Sequence, residues 1–323
     1  MTNPIDAIKK GYWSLKAPYF LLKAQNCAIT TLEVFQDMTS NREDLLLRSI
    51  TGLAGGPVGS GSTCGVIVGG ALGLALLHDK ELQEDDIETE VALLSLVGDY
   101  SKWFKDNFGT TLCRERIGID FHTPEGQQRY MYPDKIGKCL SHLTKTMRHL
   151  YSYQGKDLPD MEVGVEREQP TPIHCAQEVL KGIRSKTEVG DPLLERLSIV
   201  FDGGIGLGGG ACGALSGAIV AIGIPFGMNP RDMTFKEANR ASSISLKNQI
   251  VERMEGGPEP YGVGKGVLQK FQEEAGSVDC CEITGKEFQG WRDFQEHVNS
   301  SDKCRGLIEL SISEGAKAIE QHR

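Results

Sequence analysis

Eight cysteines in two matched sets carry the chemistry this sequence offers. Cys27 and Cys64 lie 37 residues apart, and Cys175 and Cys212 repeat that spacing. Cys113 and Cys139 follow the first pair, Cys280 and Cys304 the second. A cysteine attacks a substrate or binds metal as its thiolate. A thiolate forms most readily at a helix N-terminus, where free N–H groups and the helix dipole favour negative charge. Two cysteines of each set are expected at such places. Asn26 can cap a helix that begins at Cys27, and Thr171-Pro172 puts Cys175 in the first turn of the matching helix. Cys64 and Cys212 each follow a glycine-rich loop and open an apolar helix. The N–H groups of such a loop add donors for an anionic sulfur site. Gly61, Gly65, Gly209 and Gly213 are therefore the candidate cofactor-contacting residues. A free cysteine is most often a small buried apolar residue, but recurrence of four in order, in two diverged copies, argues for chemistry. The ninth, Cys281, stands opposite Arg114 and is the odd one. The seven histidines do not recur: His174 faces Asn26 and His122 has no counterpart, so neither is expected to be a ligand.

The elements that must position these sulfurs come in duplicate. A shift of 148 residues aligns 27–69 with 175–217 without a gap, and thirteen of the 43 positions are identical. A shift of 167 carries Phe104, Gly109, Cys113, Glu115, Gly118 and Phe121 onto Phe271, Gly276, Cys280, Glu282, Gly285 and Phe288. Internal repeats of this kind decide the fold class before anything else. Helical periodicity dominates and strand alternation is scarce. The expectation is an all-α protein of two similar helical domains related by a pseudo-two-fold axis. Residues 1–24 form an N-terminal extension whose Tyr12, Trp13, Tyr19 and Phe20 dock on the repeat. Residues 25–153 form the first four-cysteine redox domain, the proline-containing 154–172 a linker, and 173–323 the second redox domain. The second copy is about 19 residues longer between its third helix and Phe271. Gly65-x-x-x-Gly69 and Gly213-x-x-x-Gly217 would let the apolar helix pack closely on a neighbour.

Several readings are excluded. Gly204-Ile205-Gly206-Leu207-Gly208-Gly209 matches the dinucleotide fingerprint, but no acidic residue follows at the required distance and the first copy breaks the pattern. The loop at 56–63 resembles a phosphate-binding loop with Ser62 where the lysine must be. No C-x-x-C pair supports a zinc knuckle or a thioredoxin-type site, and no C-x-x-C-H a c-type haem. A net charge of −9 argues against nucleic acid. No basic-then-apolar leader is visible, so a cytoplasmic protein is expected. The apolar stretch 211–228 holds five glycines or prolines and belongs to the repeat, so a buried helix rather than an integral membrane span is expected. In that setting spread cysteines can converge on an iron–sulfur cluster, or cycle as exchangeable disulfides.

These residues resemble the C_GCAxxG_C_C family of redox-active proteins, named for its cysteine pattern. The second copy carries His174-Cys175-Ala176, Cys212-Gly213-Ala214-Leu215-Ser216-Gly217, Gly276-Ser277-Val278-Asp279-Cys280 and Cys304. The first copy has drifted, with Cys64-Gly65-Val66-Ile67-Val68-Gly69, Gly109-Thr110-Thr111-Leu112-Cys113 and Cys139. The resemblance implies a redox or electron-transfer protein, and a similar domain in split-Soret cytochromes implies an iron–sulfur centre. The expected function is electron transfer through one cluster per half, with Cys27, Cys64, Cys113 and Cys139 ligating one and Cys175, Cys212, Cys280 and Cys304 the other. A dithiol–disulfide relay is the first alternative, a non-catalytic subunit of a larger oxidoreductase the second. Either way the chain is expected to be an electron carrier or redox subunit, with an oxidoreductase or electron-transfer protein as partner. If one half dominates, the fuller motif points to Cys175 and Cys212.

Overall fold

The computed structural model describes residues 4–84, 86–161 and 171–323, and no strand occurs among them. Helix α1 (Pro4–Ala24) precedes the first copy. That copy comprises α2 (Cys27–Thr39), α3 (Asp44–Ser49), α4 (Gly65–Leu77), α5 (Asp79–Leu82), α6 (Ile87–Phe108), α7 (Cys113–Ile117), α8 (Pro124–Tyr130) and α9 (Pro133–Leu150). The second comprises α10 (Cys175–Thr187), α11 (Pro192–Leu197), α12 (Gly213–Phe226), α13 (Phe235–Asn248), α14 (Pro260–Ala275), α15 (Cys280–Thr284), α16 (Trp291–Ser300) and α17 (Asp302–His322). Of the expected linker, residues 162–170 lie outside the described residues. Before them, Leu158 and Met161 rest on the core.

The repeat is visible in the packing. In each copy the Cys-first helix lies against the apolar helix, α2 on α4 and α10 on α12. The expected small-residue stripe makes this possible. A side chain on Gly69 would strike the carbonyl of Ala28, and one on Gly217 would sit 3.0 Å from Cα of Ala176. Tyr100 of α6 then hydrogen-bonds the Val66 carbonyl at 2.8 Å, pinning α6 across α4. α13 has no counterpart in the first copy and accounts for the extra length of the second.

One apolar core runs unbroken through both copies. α12 packs against α3, and α4 against α11, so each copy lends its apolar helix to the other. Gly52 marks one such approach: a methyl there would meet Ile219 at 2.6 Å and Pro260 at 3.1 Å. The stretch Gly213–Asp232 is long and apolar enough to cross a bilayer, and 72% of it is buried inside the protein. Ion pairs cross the same boundary. Arg231 reaches Asp44 at 2.7 Å and Asp37 at 3.0 Å, Arg196 reaches Asp79 at 2.7 Å, and Arg114 reaches the buried Asp279 at 2.7 Å.

The N-terminal helix only partly follows expectation. Trp13 and Phe20 pack on the core, but Tyr12 and Tyr19 are 50% and 58% exposed. They lie on the outer side of α1 with Ile8, Leu15 and Leu22, because α9, α2 and α13 cover only its inner face.

A candidate dithiol site in the first copy

Local structure places the sulfurs in the same way in both copies. Asn26 caps α2, its side chain accepting from the Ile29 N–H at 3.0 Å and donating to the Thr51 carbonyl at 2.8 Å. Cys27 is the first helical residue. In the second copy the cap position belongs to His174, not to Thr171, and Cys175 is again the first helical residue. Cys64 and Cys212 each stand one residue before the apolar helix. Short backbone bridges fasten the third cysteine to this point: Thr63 pairs with Leu112, Ala211 with Asp279. The Cys113 N–H donates to Ser62 at 2.7 Å, and the Cys280 N–H donates to Gly210 at 2.6 Å.

The four cysteines of the first copy line one cavity of about 70 Å³. Cys27 keeps partial exposure and Cys64 is buried. The sulfur of Cys27 is held below the ordinary thiol pKa, chiefly because it accepts a hydrogen bond from the Cys64 thiol. Burial opposes this, and the N–H groups of Gly55, Cys27 and Gly65 reinforce it. The same hydrogen bond, with burial, holds Cys64 well above the ordinary value. Of the two, Cys27 is therefore the sulfur that gives up its proton more readily, and Cys64 the one that keeps it. Gly65 makes the approach possible, since a methyl there would sit 2.6 Å from the Cys27 sulfur. Burial holds Cys113 well above the usual range and pushes Cys139 up to about 12. The second copy roofs this cavity: Ser242, Ser245, Leu246 and Gln249, from α13 and the turn after it, line it together with Met228 and Tyr261. The Tyr261 hydroxyl donates to the Ala54 carbonyl at 3.1 Å, beside Gly55.

The second set converges on a cavity of about 20 Å³. A water needs about 10–15 Å³ on this measure, so that space admits roughly one. Asp202 stands where the first copy has Ala54. Its carboxylate accepts from the Cys175 N–H at 2.9 Å and lies 2.7 Å from Nδ1 of His174, whose Nε2 lies 3.2 Å from Glu90 of the first copy. Burial works against charge on His174, but Asp202 and Glu90 outweigh it and raise its pKa to about 10. Burial, and then the neighbouring Asp202, hold Cys175 well above the ordinary thiol value. Burial lifts Cys212 to about 11 against the N–H groups of Ala214 and Leu215. The copy with the fuller motif is thus the one that disfavours a thiolate.

A family model described as "Putative redox-active protein (C_GCAxxG_C_C)" matches residues 25–153 and again 173–315. The chain belongs to this family, as a tandem duplicate. No curated protein and no solved structure matches it.

The eight C_GCAxxG_C_C cysteines line the two cavities, four on each. As arranged they do not form a metal cage: among the described residues no three cysteine, histidine or carboxylate side chains gather closely enough to hold an ion. All nine cysteines are unbridged. Of the four glycines expected beside a cofactor, Gly65 abuts Cys27 and Gly213 lines the second cavity. The carbonyls of Gly61 and Gly209 accept from the Arg114 N–H at 2.8 Å and the Cys281 N–H at 3.0 Å. Arg116, Tyr261 and the α13 residues escaped sequence reasoning because none recurs between copies, and recurrence was its signal. Asp202 stood beside a recurring glycine, opposite Ala54, and that mismatch could have been noticed.

Proposed function

We propose that the chain is a dithiol–disulfide redox protein whose working pair is Cys27 and Cys64. One observation carries the reading: Cys27 and Cys64 line the same cavity, with the Cys27 sulfur lying against Gly65, the residue next to Cys64, and Cys27 is held below the ordinary thiol pKa chiefly by the Cys64 thiol. The thiolate is the attacking form, and a neighbouring thiol that keeps its proton is suited to resolve the mixed disulfide. Cys27 attacks a disulfide sulfur and expels a thiolate. The Cys64 proton neutralises that leaving group. The Cys64 sulfur then attacks Cys27 and releases the second arm as a thiolate, which takes a proton from solvent, so two electrons leave the protein and a Cys27–Cys64 bond remains. A thiol-based oxidoreductase returns the pair to its reduced form, in a reducing compartment such as the cytoplasm. The convergence of four cysteines on each cavity supports a second reading, an iron–sulfur carrier, for which the cysteines would have to draw closer together.

Oxidation of anaerobically purified protein with a mild disulfide, followed by alkylation and peptide mass spectrometry, separates the two. The expected product is a Cys27–Cys64 disulfide formed before any other, and Cys64→Ala should move the pH profile of Cys27 alkylation upward. Iron and acid-labile sulfide bound by the purified protein, with no Cys27–Cys64 bond on oxidation, would overturn the dithiol assignment.

A further inference from the structure

The first cavity differs from the second in charge as well as size. Arg116 is the single charged side chain among the described residues that line it, although the chain carries 44 acidic residues and 35 basic ones. Among the described residues no carboxylate pairs with this guanidinium. It lies over the Phe108 ring at 5.3 Å and touches Nε2 of His142, while its Nε is buried without a partner. His142 cannot compensate the charge: burial, with Arg116 and two lysines nearby, lowers its pKa to about 4, so it is neutral. At the matching position of the second copy stands Ile283, which lines the smaller cavity. A guanidinium that faces a cavity with cysteines but no carboxylate beside it, in an acidic protein, is a recognition element for an anion, since it offers paired donors that match a carboxylate. The first cavity holds roughly five waters by the volume one water needs, enough for one short arm of a small molecule.

We propose that the first cavity takes a small anionic disulfide, with Arg116 holding a carboxylate of one arm while Cys27 attacks the nearer sulfur. This rests on the dithiol assignment and names its substrate class. The balance is that of the pair already described: the Cys27 thiolate, the Cys64 thiol, RSSR and one proton from solvent become protein disulfide and two RSH, with Arg116 contributing binding and no electrons. A carboxylate one short chain from the sulfur sets the scissile bond beside Cys27 and adds nothing to the leaving thiol.

Three disulfides of similar size test it: dithiodipropionate, a dianion; bis(2-hydroxyethyl) disulfide, neutral; and cystamine, a dication. The readout is the rate at which each oxidises the Cys27–Cys64 pair of the full, reduced chain, normalised to its rate with dithiothreitol. The dianion should react roughly tenfold or more faster than the dication, a gain that salt erodes. The net charge of −9 works the other way at long range, so this order reports the cavity. Arg116→Gln should level the three rates, Arg116→Lys should keep most of the order, and circular dichroism confirms that both fold. Equal normalised rates in the parent chain, or an order that survives Arg116→Gln, overturns the anion site and leaves the dithiol pair standing. Failure of all three to form the Cys27–Cys64 bond sinks both.

Discussion

His174 carries a proton that its burial alone would strip away. Free histidine titrates near 6.5, and between Asp202 and Glu90 the value rises to about 10. The folded state therefore keeps a proton that the unfolded chain releases. This contribution to stability is complete below about pH 6.5 and is lost as the pH climbs through about 10. Denaturant melts between those limits should show stability falling with pH, and His174→Gln should flatten that slope; an unchanged slope would contradict the assignment. His174→Ala leaves Asp202 buried without its counter-charge and should cost about 3–5 kcal/mol. At this scale the eight cysteines were legible because they recur. The triad was not, because Glu90 lies 84 residues from His174 in the other copy, and no periodicity links them.

The helices act chiefly by where they begin. α2 delivers Cys27 at its first residue and α4 delivers the N–H of Gly65 beside it. These starts could be read from Asn26 and the glycine loops, since caps and positive-φ glycines are local signals. That the loop N–H of Gly55 would turn toward Cys27, while Gly61 turns to Arg114, depended on φ values no single residue type announces. Gly65→Ala tests the arrangement. Its methyl would stand 2.6 Å from the Cys27 sulfur and 3.0 Å from the Ala28 nitrogen, so the sulfur must give way, at about 1–3 kcal/mol of stability. Alkylation of Cys27 at neutral pH should slow several-fold. Gly213→Ala, whose methyl meets the Phe201 carbonyl at 3.0 Å and the Cys175 Cβ at 3.1 Å, should leave Cys27 unaffected. Normal Cys27 reactivity in Gly65→Ala would show that the sulfur does not depend on this approach.

Over the whole molecule, duplication was plain in the sequence and the shared core was not. An offset of 148 residues identifies positions with equal roles; it does not say how two copies touch. In the structure α12 fills the space over α3, and α4 meets α11, so neither copy closes its own core. Residues 1–161 alone should therefore fail to give a cooperative thermal transition, and their Cys27 should alkylate like an ordinary thiol. Adding residues 171–323 should restore both properties. A stable first copy with a reactive Cys27 would show that the copies are independent domains.

The α13 roof has a consequence for how such a protein can change over generations. Two identical chains paired about an axis must build both sites alike, so any residue that improves one is imposed on the other. Fusing the copies into one gene lifts that constraint. One copy can then acquire a guanidinium and a reactive sulfur while the other supplies the lid and a buried charge cluster. Neither could afterwards be discarded, because the half that holds the smaller cavity also roofs the larger one.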